Sequence, residues 1–200
     1  MSIKIIGLSG SISSGKSFVA SIFSSKKIWV FDADLVVHNL LQKTEIIRAI
    51  AVDFGDAINN NQVDRQILGD IVFGDRQKLT KLEQILHPQV RLEYFAFLHK
   101  AKRYKQKLIV LNIPLLLEKK QYYRCHKIIA IIADQQLRWH RFYHRKTWQN
   151  INYARQKFLT IDQKQPNNFI RCKNADFILP NHFSKNIVRQ KIINFITSLK

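Results

Sequence analysis

The sequence predicts an α/β fold in which a parallel sheet is flanked by helices. Short apolar runs alternate along the 200-residue chain with stretches of helical periodicity, an order typical of this fold class. Two of these runs, residues 107–113 and 127–133, are almost wholly apolar, as expected for strands that are covered on both faces. A glycine- and serine-rich segment directly follows the first apolar run. The length of 200 residues suits one domain.

The predicted elements follow one another in a regular order. The first strand, residues 3–8, ends at the glycine-rich segment, and an amphipathic helix begins near Lys16. A second strand covers residues 27–34 and ends in two acids, after which the sequence turns helical. A mainly helical region covers residues 44–86, and an amphipathic helix starts at Pro88. Two apolar strands cover residues 107–113 and 127–133, and a basic, aromatic-rich helix covers 134–146. A last strand covers 175–181, and a closing helix covers 184–199.

The net charge of +19 is the unusual feature of the composition. Such a charge is compatible with an anionic partner, either nucleic acid, a membrane surface or a polyphosphate substrate. However, the lysines are scattered and form no basic tail, and the chain is also rich in asparagine and isoleucine, a composition common in proteins from A+T-rich genomes. We therefore attribute the charge to composition and do not expect nucleic acid as a partner.

The sequence has no feature of a membrane or secreted protein. Its longest apolar stretch, residues 108–117, is too short to cross a bilayer, and no signal-peptide cleavage pattern follows the first apolar run. The two cysteines, Cys125 and Cys172, provide no disulfide framework and indicate free thiols in a reducing compartment. We therefore expect a cytoplasmic protein without a membrane partner. The sequence gives no indication of an oligomeric state.

Residues 10–17, GSISSGKS, fit the phosphate-binding P-loop pattern G-x-x-x-x-G-K-[ST] through Gly10, Gly15, Lys16 and Ser17. In this pattern the backbone N–H groups of the loop surround an anion, and the following helix adds the partial positive charge of its N-terminus. Lys16 would reach the β- and γ-phosphates, and Ser17 would offer its hydroxyl to Mg²⁺. The apolar strand before the loop and the amphipathic helix after it favour this interpretation over a solvent-exposed glycine-serine loop.

Two acids, Asp32 and Asp34, close the second predicted strand. Ligands of open parallel sheets bind at the carboxyl ends of strands, so these acids would orient a substrate hydroxyl or hold a metal ion. Alternate residues of an extended chain point to opposite faces, so the two acids need not share one role. The local pattern fits equally well with Asp34 as the cap of the next helix.

Together, these stretches resemble the dephospho-coenzyme A (dephospho-CoA) kinase family. The opening loop of the family, similar to GLTGGIGSGKS, stands here as GLSGSISSGKS, and its DAD strand with the helix that follows stands as VFDADLVVHNLL. Further family motifs match in family order and over nearly the whole chain: RQILGDIVF (65–73), LEQILHP (82–88), IPLLLE (113–118), a looser match in QLRWHRFYHR (136–145), and ADFILPN (175–181).

The resemblance implies a P-loop kinase-type fold, a parallel sheet flanked by helices with a helical substrate-binding segment and a helical lid. All three parts would belong to one P-loop kinase domain that spans the chain. The core would comprise about 1–58 and 106–134 plus 170–200, the acceptor-binding segment about 59–105, and the lid about 135–169.

The resemblance also implies a reaction and the residues that perform it. Family members transfer the γ-phosphoryl group of ATP to the ribose 3′-hydroxyl of dephospho-CoA, the last step of coenzyme A synthesis, with Mg²⁺. Asp34 would accept or orient the proton of that hydroxyl, and Asp32 would support Mg²⁺ together with Ser17. The other implied residues are the catalytic Lys16, Arg141 and Arg145, with Arg138 as an alternative lid arginine; the ATP-binding Gly10, Ser11, Ser13, Ser14, Gly15, Lys16, Ser17, Phe18 and Asn181; and the substrate-binding Asp34, Arg65, His87 and Glu118.

The chain departs from the family pattern at several positions. Ser11 and Ser13 stand where the family usually has glycine, so they either strain the loop, if a positive φ is needed, or add contacts to phosphate. Phe18 replaces the usual threonine, and Asn112 replaces an aspartate ahead of the I-P-L-L motif. These changes bear on metal affinity and rate more than on fold or reaction type.

Two other functions are compatible with parts of the sequence. Another small-molecule P-loop kinase, acting on a nucleoside monophosphate or a sugar acid, would share Lys16 and Ser17, but LEQILHP and IPLLLE would then be coincidental. A basic nucleic-acid-binding protein would use the net charge of +19 and the RWHRFYHRK helix. That alternative leaves the P-loop pattern and the DAD segment unexplained.

Overall fold

The computed structural model describes residues 3–114, 123–145 and 147–199. The chain folds into two compact units, one formed by Met1–Phe31 with Tyr104–Lys200 and the other by Asp32–Arg103. The division into core, acceptor-binding segment and lid concerns function and stays a prediction.

The first unit is built on a five-stranded sheet. The strands of the chain are β1 (Lys4–Ser9), β2 (Trp29–Asp32), β3 (Ile58–Asn59), β4 (Gln62–Val63), β5 (Leu108–Asn112), β6 (Lys127–Ile132) and β7 (Phe177–Pro180). The sheet has the order β2-β5-β1-β6-β7. β1 pairs in parallel with β5 and β6, and β6 pairs in parallel with β7. The parallel sheet of an α/β fold, predicted from the apolar runs, is confirmed.

Helices follow most strands, as the sequence predicts. They are α1 (Lys16–Ser25), α2 (Ala33–Leu40), α3 (Thr44–Phe54), α4 (Arg65–Val72), α5 (Arg76–Arg103), α6 (Gln135–Tyr143), α7 (Ile151–Gln163), α8 (Asn168–Lys173) and α9 (Lys185–Ser198), with a 3₁₀ turn at Gly55–Ala57. Asn150 caps α7 by accepting hydrogen bonds from two N–H groups of its first turn, and Asn167 caps α8 by accepting one from the N–H of Ile170. None of the helices in the described residues has both the length and the apolar content that crossing a membrane requires.

The core of the first unit joins α1 and α9 to the sheet. Its buried apolar residues come from β1, β5, β6, β7 and these two helices: Ile6, Leu8, Val19, Ala20, Ile22, Phe23, Val110, Ile129, Ile131, Leu179, Val188, Ile192 and Phe195. Each large apolar side chain contributes roughly 1.5–3 kcal/mol when it is fully buried. The cluster therefore fixes β1 and α1, the two elements on either side of residues 10–15.

The helices α6 and α7 pack through an aromatic cluster formed by Trp139, Phe142, Trp148 and Phe158. The Phe158 ring of α7 lies 5.6 Å from the Trp139 ring and 5.5 Å from the Phe142 ring, measured between centroids. Trp148, in the connection between the two helices, lies 5.0 Å from Phe142. The Arg155 guanidinium stands 5.9 Å from the centroid of the Trp139 ring. This cluster holds together the two helices of the predicted lid.

The second unit contains α2 to α5 and a short hairpin of β3 and β4. The hairpin turns through Asn60 and Asn61, whose φ angles are 48° and 58°. Two positive φ angles in succession are what a two-residue type I′ turn requires, and asparagine tolerates them. Residues 58–63, which lie inside the predicted helical region 44–86, therefore form a hairpin with strands of only two residues each.

The helix α5 differs from its prediction, because it does not begin at Pro88. The helix runs through Arg76–Arg103 with Pro88 inside it. An internal proline removes one backbone hydrogen bond and crowds a carbonyl group, at a cost of about 3 kcal/mol. Leu86, Val90 and Tyr94 around the proline are buried. Their burial offsets that cost, so the helix continues through the proline.

Candidate active site

The glycine-rich loop, residues 10–15, leads from the end of β1 into α1. Gly15 occupies the N-cap position of α1 with φ 103° and ψ 20°, a left-handed conformation that residues with a side chain rarely adopt. A Cβ atom on Gly15 would also overlap the amide nitrogen of Asn181, and one on Gly10 would overlap the hydroxyl of Ser14. The shape of the loop therefore requires both glycines of the P-loop pattern.

Three buried serines, Ser11, Ser13 and Ser14, belong to this loop. Ser13 has a φ of 56°, whereas Ser11 is not among the residues with positive φ. The left-handed conformation of Ser13 costs about 1–2 kcal/mol. The Oγ atoms of Ser13 and Ser14 are buried and have no hydrogen-bond partner in the described part of the chain. Such groups are costly to leave unpaired.

Lys16, the first residue of α1, has its ammonium group folded back over the loop. Its Nζ donates hydrogen bonds to the carbonyl oxygens of Gly10 at 2.6 Å and Ser11 at 3.3 Å. The positive charge therefore lies over the segment that the sequence predicts to bind phosphate. Ser17 is exposed, and its hydroxyl oxygen is of the ligand type that Mg²⁺ accepts. The Phe18 side chain packs against the core, which leaves its backbone for any contact with a nucleotide.

Asn181 and Arg141 converge on the carbonyl oxygen of Ser14. Asn181 Nδ2 donates to this oxygen at 2.6 Å, and Arg141 Nη1 donates to it at 3.4 Å. Arg141 Nη2 also donates to the Asn181 carbonyl oxygen at 2.9 Å. Partial burial lowers the pKa of Arg141 from its ordinary value, but an arginine keeps its charge in proteins. The loop therefore has a second fixed positive charge beside it.

The other two arginines of the predicted lid lie in different surroundings. Arg138 is buried and pairs with both carboxylate oxygens of Asp162. Burial raises the pKa of Asp162, but hydrogen bonds from Arg138 and Gln135 outweigh this effect and hold the pKa below its ordinary value. Arg145 is exposed beyond the end of α6. The geometry therefore favours Arg141 over Arg138 as the arginine next to a bound phosphate.

Two side chains at the loop are not singled out by the sequence. Gln165 Oε1 accepts a hydrogen bond from the N–H of Ile12 at 2.7 Å, across a separation of 153 residues. Arg171 Nη1 donates to Ser9 Oγ at 2.8 Å, across 162 residues. No local pattern marks either residue, since Gln165 lies in a short connection and Arg171 lies on a short helix. Only the fold reveals these contacts.

The acids of the DAD segment form the start of α2. Asp32 is the N-cap residue, and its Oδ1 accepts hydrogen bonds from the backbone N–H groups of Asp34 at 3.0 Å and Leu35 at 3.2 Å. The interpretation in which Asp34 caps the helix is therefore wrong, because α2 begins at Ala33 and the cap must precede its first turn. Asp34 is exposed in that first turn. The catalytic roles of both acids stay predictions.

Among the residues predicted to bind the acceptor, Arg65 has a defined partner. Its Nη1 lies 2.9 Å from Nδ1 of His38 on α2. Arginine only donates hydrogen bonds, so His38 Nδ1 accepts this one. His38 belongs to the motif VFDADLVVHNLL, but the sequence alone indicates no role for it. His87 lies within α5, 3.7 Å from the carboxylate of Glu83. Glu118 lies outside the described residues.

Comparison with known proteins gives consistent matches over nearly the whole chain. The model of the family described as CoaE, dephospho-CoA kinase, matches residues 4–186. A dephospho-CoA kinase from Bartonella henselae is 35% identical over 196 residues, 98% of this chain and 98% of that protein. Among solved structures, TT1252 from Thermus thermophilus is 28% identical with a TM-score of 0.80, over 100% of both chains. A dephospho-CoA kinase from Campylobacter jejuni, 23% identical, has a TM-score of 0.63 over 98% of this chain and 97% of its own. The predicted P-loop kinase type of fold is confirmed.

Proposed function

The chain belongs to the dephospho-CoA kinase family, and we propose on this basis that it transfers the γ-phosphoryl group of ATP to the ribose 3′-hydroxyl of dephospho-CoA. The reaction is a phosphotransfer to an alcohol group and the last step of coenzyme A biosynthesis. The observation that carries the proposal is the loop of residues 10–15, where Lys16, Arg141 and two unpaired serine hydroxyls meet. We assign the reaction to the cytoplasm, where Cys125 and Cys172, which are not disulfide-bonded, would stay reduced.

ATP would bind by its phosphates at the glycine-rich loop. The backbone N–H groups of the loop and the N-terminus of α1 favour negative charge at this position. Lys16 Nζ, which lies over the loop on the carbonyl oxygens of Gly10 and Ser11, would exchange them for the β- and γ-phosphate oxygens. Arg141 would add a second charge. Fixed positive charge is most effective where negative charge accumulates in the transition state of phosphoryl transfer.

We propose Mg²⁺ as the metal that accompanies ATP. The donors available to it are oxygens, the ligands that this ion prefers. Ser17 would contribute its exposed hydroxyl. Asp32 would contribute through water, since its Oδ1 caps α2. When bound, Mg²⁺ neutralises charge on the β- and γ-phosphate oxygens.

Asp34 would act on the acceptor hydroxyl. The 3′-oxygen forms a bond to the γ-phosphorus, the bond from that phosphorus to the bridging oxygen breaks, ADP leaves, and the hydroxyl proton goes to the Asp34 carboxylate. The transition state of this transfer is loose, so orientation of the hydroxyl matters more than the strength of the base. Arg65, His87 and Glu118 are proposed for the acceptor side, and Arg145 for the transferring phosphate.

A substrate comparison tests this function. The purified protein with ATP and Mg²⁺ is expected to convert dephospho-CoA to a product heavier by one phosphoryl group, while AMP, CMP, shikimate and gluconate give no product under the same conditions. Phosphorylation of a monophosphate or a sugar acid without phosphorylation of dephospho-CoA would favour the other small-molecule kinases instead. The alternative of a nucleic-acid-binding protein predicts salt-sensitive RNA or DNA binding and no turnover.

A further inference from the structure

Ser13 is held from both sides by side chains that bond to the loop backbone. On one side, the N–H of Ile12 donates to Gln165 Oε1 at 2.7 Å. On the other, the carbonyl oxygen of Ser14 accepts from Asn181 Nδ2 at 2.6 Å. We infer that Gln165 is a positioning residue for nucleotide binding, which together with Asn181 clamps the glycine-rich loop in the shape that receives phosphate. This inference rests on the proposed function only in that the nucleotide binds at the loop.

The contacts from Gln165 and Asn181, together called the clamp, are needed because Ser13 adopts a backbone conformation that is unfavourable for a residue with a side chain. Its φ of 56° lies in the left-handed region, where the Cβ atom of an L-residue approaches the backbone too closely. Such a conformation persists only when its surroundings over-determine it. The Ile12 N–H belongs to the peptide group that precedes Ile12, and the Ser14 carbonyl belongs to the one that follows Ser14, so the segment of residues 12–14 is tied at both of its ends. A glycine at this position would need no such support.

Gln165 can act as a clamp because its own backbone is anchored at the α7 end. It lies in the connection between α7 and α8, residues 164–167, and its N–H donates to the carbonyl oxygen of Asp162 at 3.1 Å. Asp162 is in turn paired with the buried Arg138. The ion pair therefore fixes the last turn of α7, from which the connection departs.

The α8 end of the connection is anchored by Arg171. This arginine is only 2% exposed. Its Nε donates to the carbonyl oxygen of Pro166 at 3.0 Å, and its Nη1 donates to Ser9 Oγ at 2.8 Å. The same guanidinium thus joins the residue after Gln165 to the last residue of β1. Gln165 is presented to Ile12 from a backbone that is fixed on both sides, so little conformational entropy is lost when the contact forms.

Loss of the clamp should weaken nucleotide binding rather than the chemical step. Without the bond to Ile12, Ser13 would spend part of its time at negative φ, and the loop N–H groups would leave the positions that suit an anion. The apparent dissociation constant rises in proportion as the binding-competent fraction falls. The acceptor and its hydroxyl are not involved in this equilibrium.

The variant Gln165→Met tests the inference, because it removes the acceptor oxygen and keeps the length of the side chain. We expect the dissociation constant for Mg-ADP, measured by calorimetry, to rise about fivefold to tenfold. The KM for ATP should rise by a similar factor, while kcat and the KM for dephospho-CoA stay within about twofold. Gln163→Met is the matched control, since Gln163 is exposed at the end of α7; it should leave all these values unchanged.

A double-mutant cycle separates positioning from a general structural role. In a Ser13→Gly background the left-handed conformation carries no penalty, so Gln165→Met should weaken Mg-ADP binding by less than about twofold. Equal fold-changes in both backgrounds, or an unchanged dissociation constant in the single variant, would overturn the inference. Gln165→Asn, whose shorter side chain moves the oxygen away from Ile12, should reproduce the effect and serves if the methionine variant does not fold.

The test of Gln165 by Mg-ADP binding does not depend on whether the protein phosphorylates dephospho-CoA. A wild-type protein that binds Mg-ADP but forms no product from dephospho-CoA would refute the proposed function and leave this inference to be decided by the cycle. A wild-type protein that binds no Mg-ADP would overturn both.

Discussion

Arg138 and Asp162 form a buried, bidentate ion pair that joins α6 to α7. Arg138 Nη1 bonds to Oδ1 of the carboxylate, and Nη2 bonds to Oδ2 at 3.1 Å. The two side chains are 7% and 12% exposed. A pair buried to this extent matters because the loss of one partner leaves the other charged and desolvated.

We expect Asp162→Asn to reduce the free energy of unfolding at pH 7 by about 3 kcal/mol, because the Arg138 charge would stay buried without its counter-charge. The fold holds the pKa of Asp162 below its ordinary value. The stabilisation is therefore present above the pKa of about 4 that the carboxyl has in the unfolded chain, and it is lost as the pH falls through the folded-state pKa. Urea denaturation of wild type and of Asp162→Asn at several pH values from 7 to 3 measures the free energy of unfolding of each protein as a function of pH.

The difference between wild type and Asp162→Asn should shrink below about pH 4. Asp53→Asn is the control, since Asp53 pairs with Lys81 where both side chains are partly exposed; it should cost at most about 1 kcal/mol. A difference between wild type and Asp162→Asn that stays constant over the whole pH range would contradict the prediction.

Ser13→Gly should stabilise the nucleotide-free protein by about 0.5–1 kcal/mol. Relief of the left-handed strain contributes about 1–2 kcal/mol, and the greater freedom of glycine in the unfolded chain takes back about 0.4–1 kcal/mol. Urea denaturation without nucleotide measures the change. Ser11→Gly is the matched control, because Ser11 lies in the same loop without a positive φ, so that variant should be no more stable than wild type. Equal gains in both variants would refute strain at Ser13.

Lys16→Met should reduce ATP turnover by a factor of at least about 100 while the fold is kept. The ammonium group donates to the backbone oxygens of Gly10 and Ser11, and the melting temperature of the variant, measured beside its turnover, shows whether the fold is kept. Product formation from ATP and dephospho-CoA measures the effect. Lys26→Met, at an exposed position after α1, removes the same charge and should keep turnover near the wild-type value.

Asp34→Asn should keep nucleotide binding and lose turnover. We expect the dissociation constant for Mg-ADP to change by less than about twofold and the turnover to fall roughly 100-fold or more, the range for removal of a general base. Asp56→Asn, a change of charge at another exposed acid of the same unit, provides the comparison. Turnover near the wild-type value in Asp34→Asn would remove this residue from the mechanism.

The parts of the site that the sequence predicted are those whose geometry is local. Gly10 and Gly15 are needed by the backbone of one short loop, and Lys16 follows it directly, so a pattern of eight residues contains the information. The sheet was likewise predictable, because strands covered on both faces need continuous apolar runs.

The errors and omissions have tertiary causes. The sequence predicts that a helix starts at Pro88, but burial of the neighbouring residues lets α5 continue through the proline. Asp34 was one candidate for the cap of α2, and the choice of Asp32 depends on where β2 ends, a boundary that local pattern fixes only to within a few residues. Gln165 and Arg171 reach the loop from more than 150 residues away, and no sequence spacing encodes such contacts.

The aromatic cluster gives the protein an intrinsic optical label. The chain has three tryptophans, and two of them, Trp139 and Trp148, belong to the cluster. The third, Trp29, lies in β2 with its ring 5.5 Å from that of Tyr104. In a Trp29→Phe variant all tryptophan emission would come from the cluster, which includes residues of α6, the helix that carries Arg141. Nucleotide titrations could then be followed by fluorescence without any attached dye.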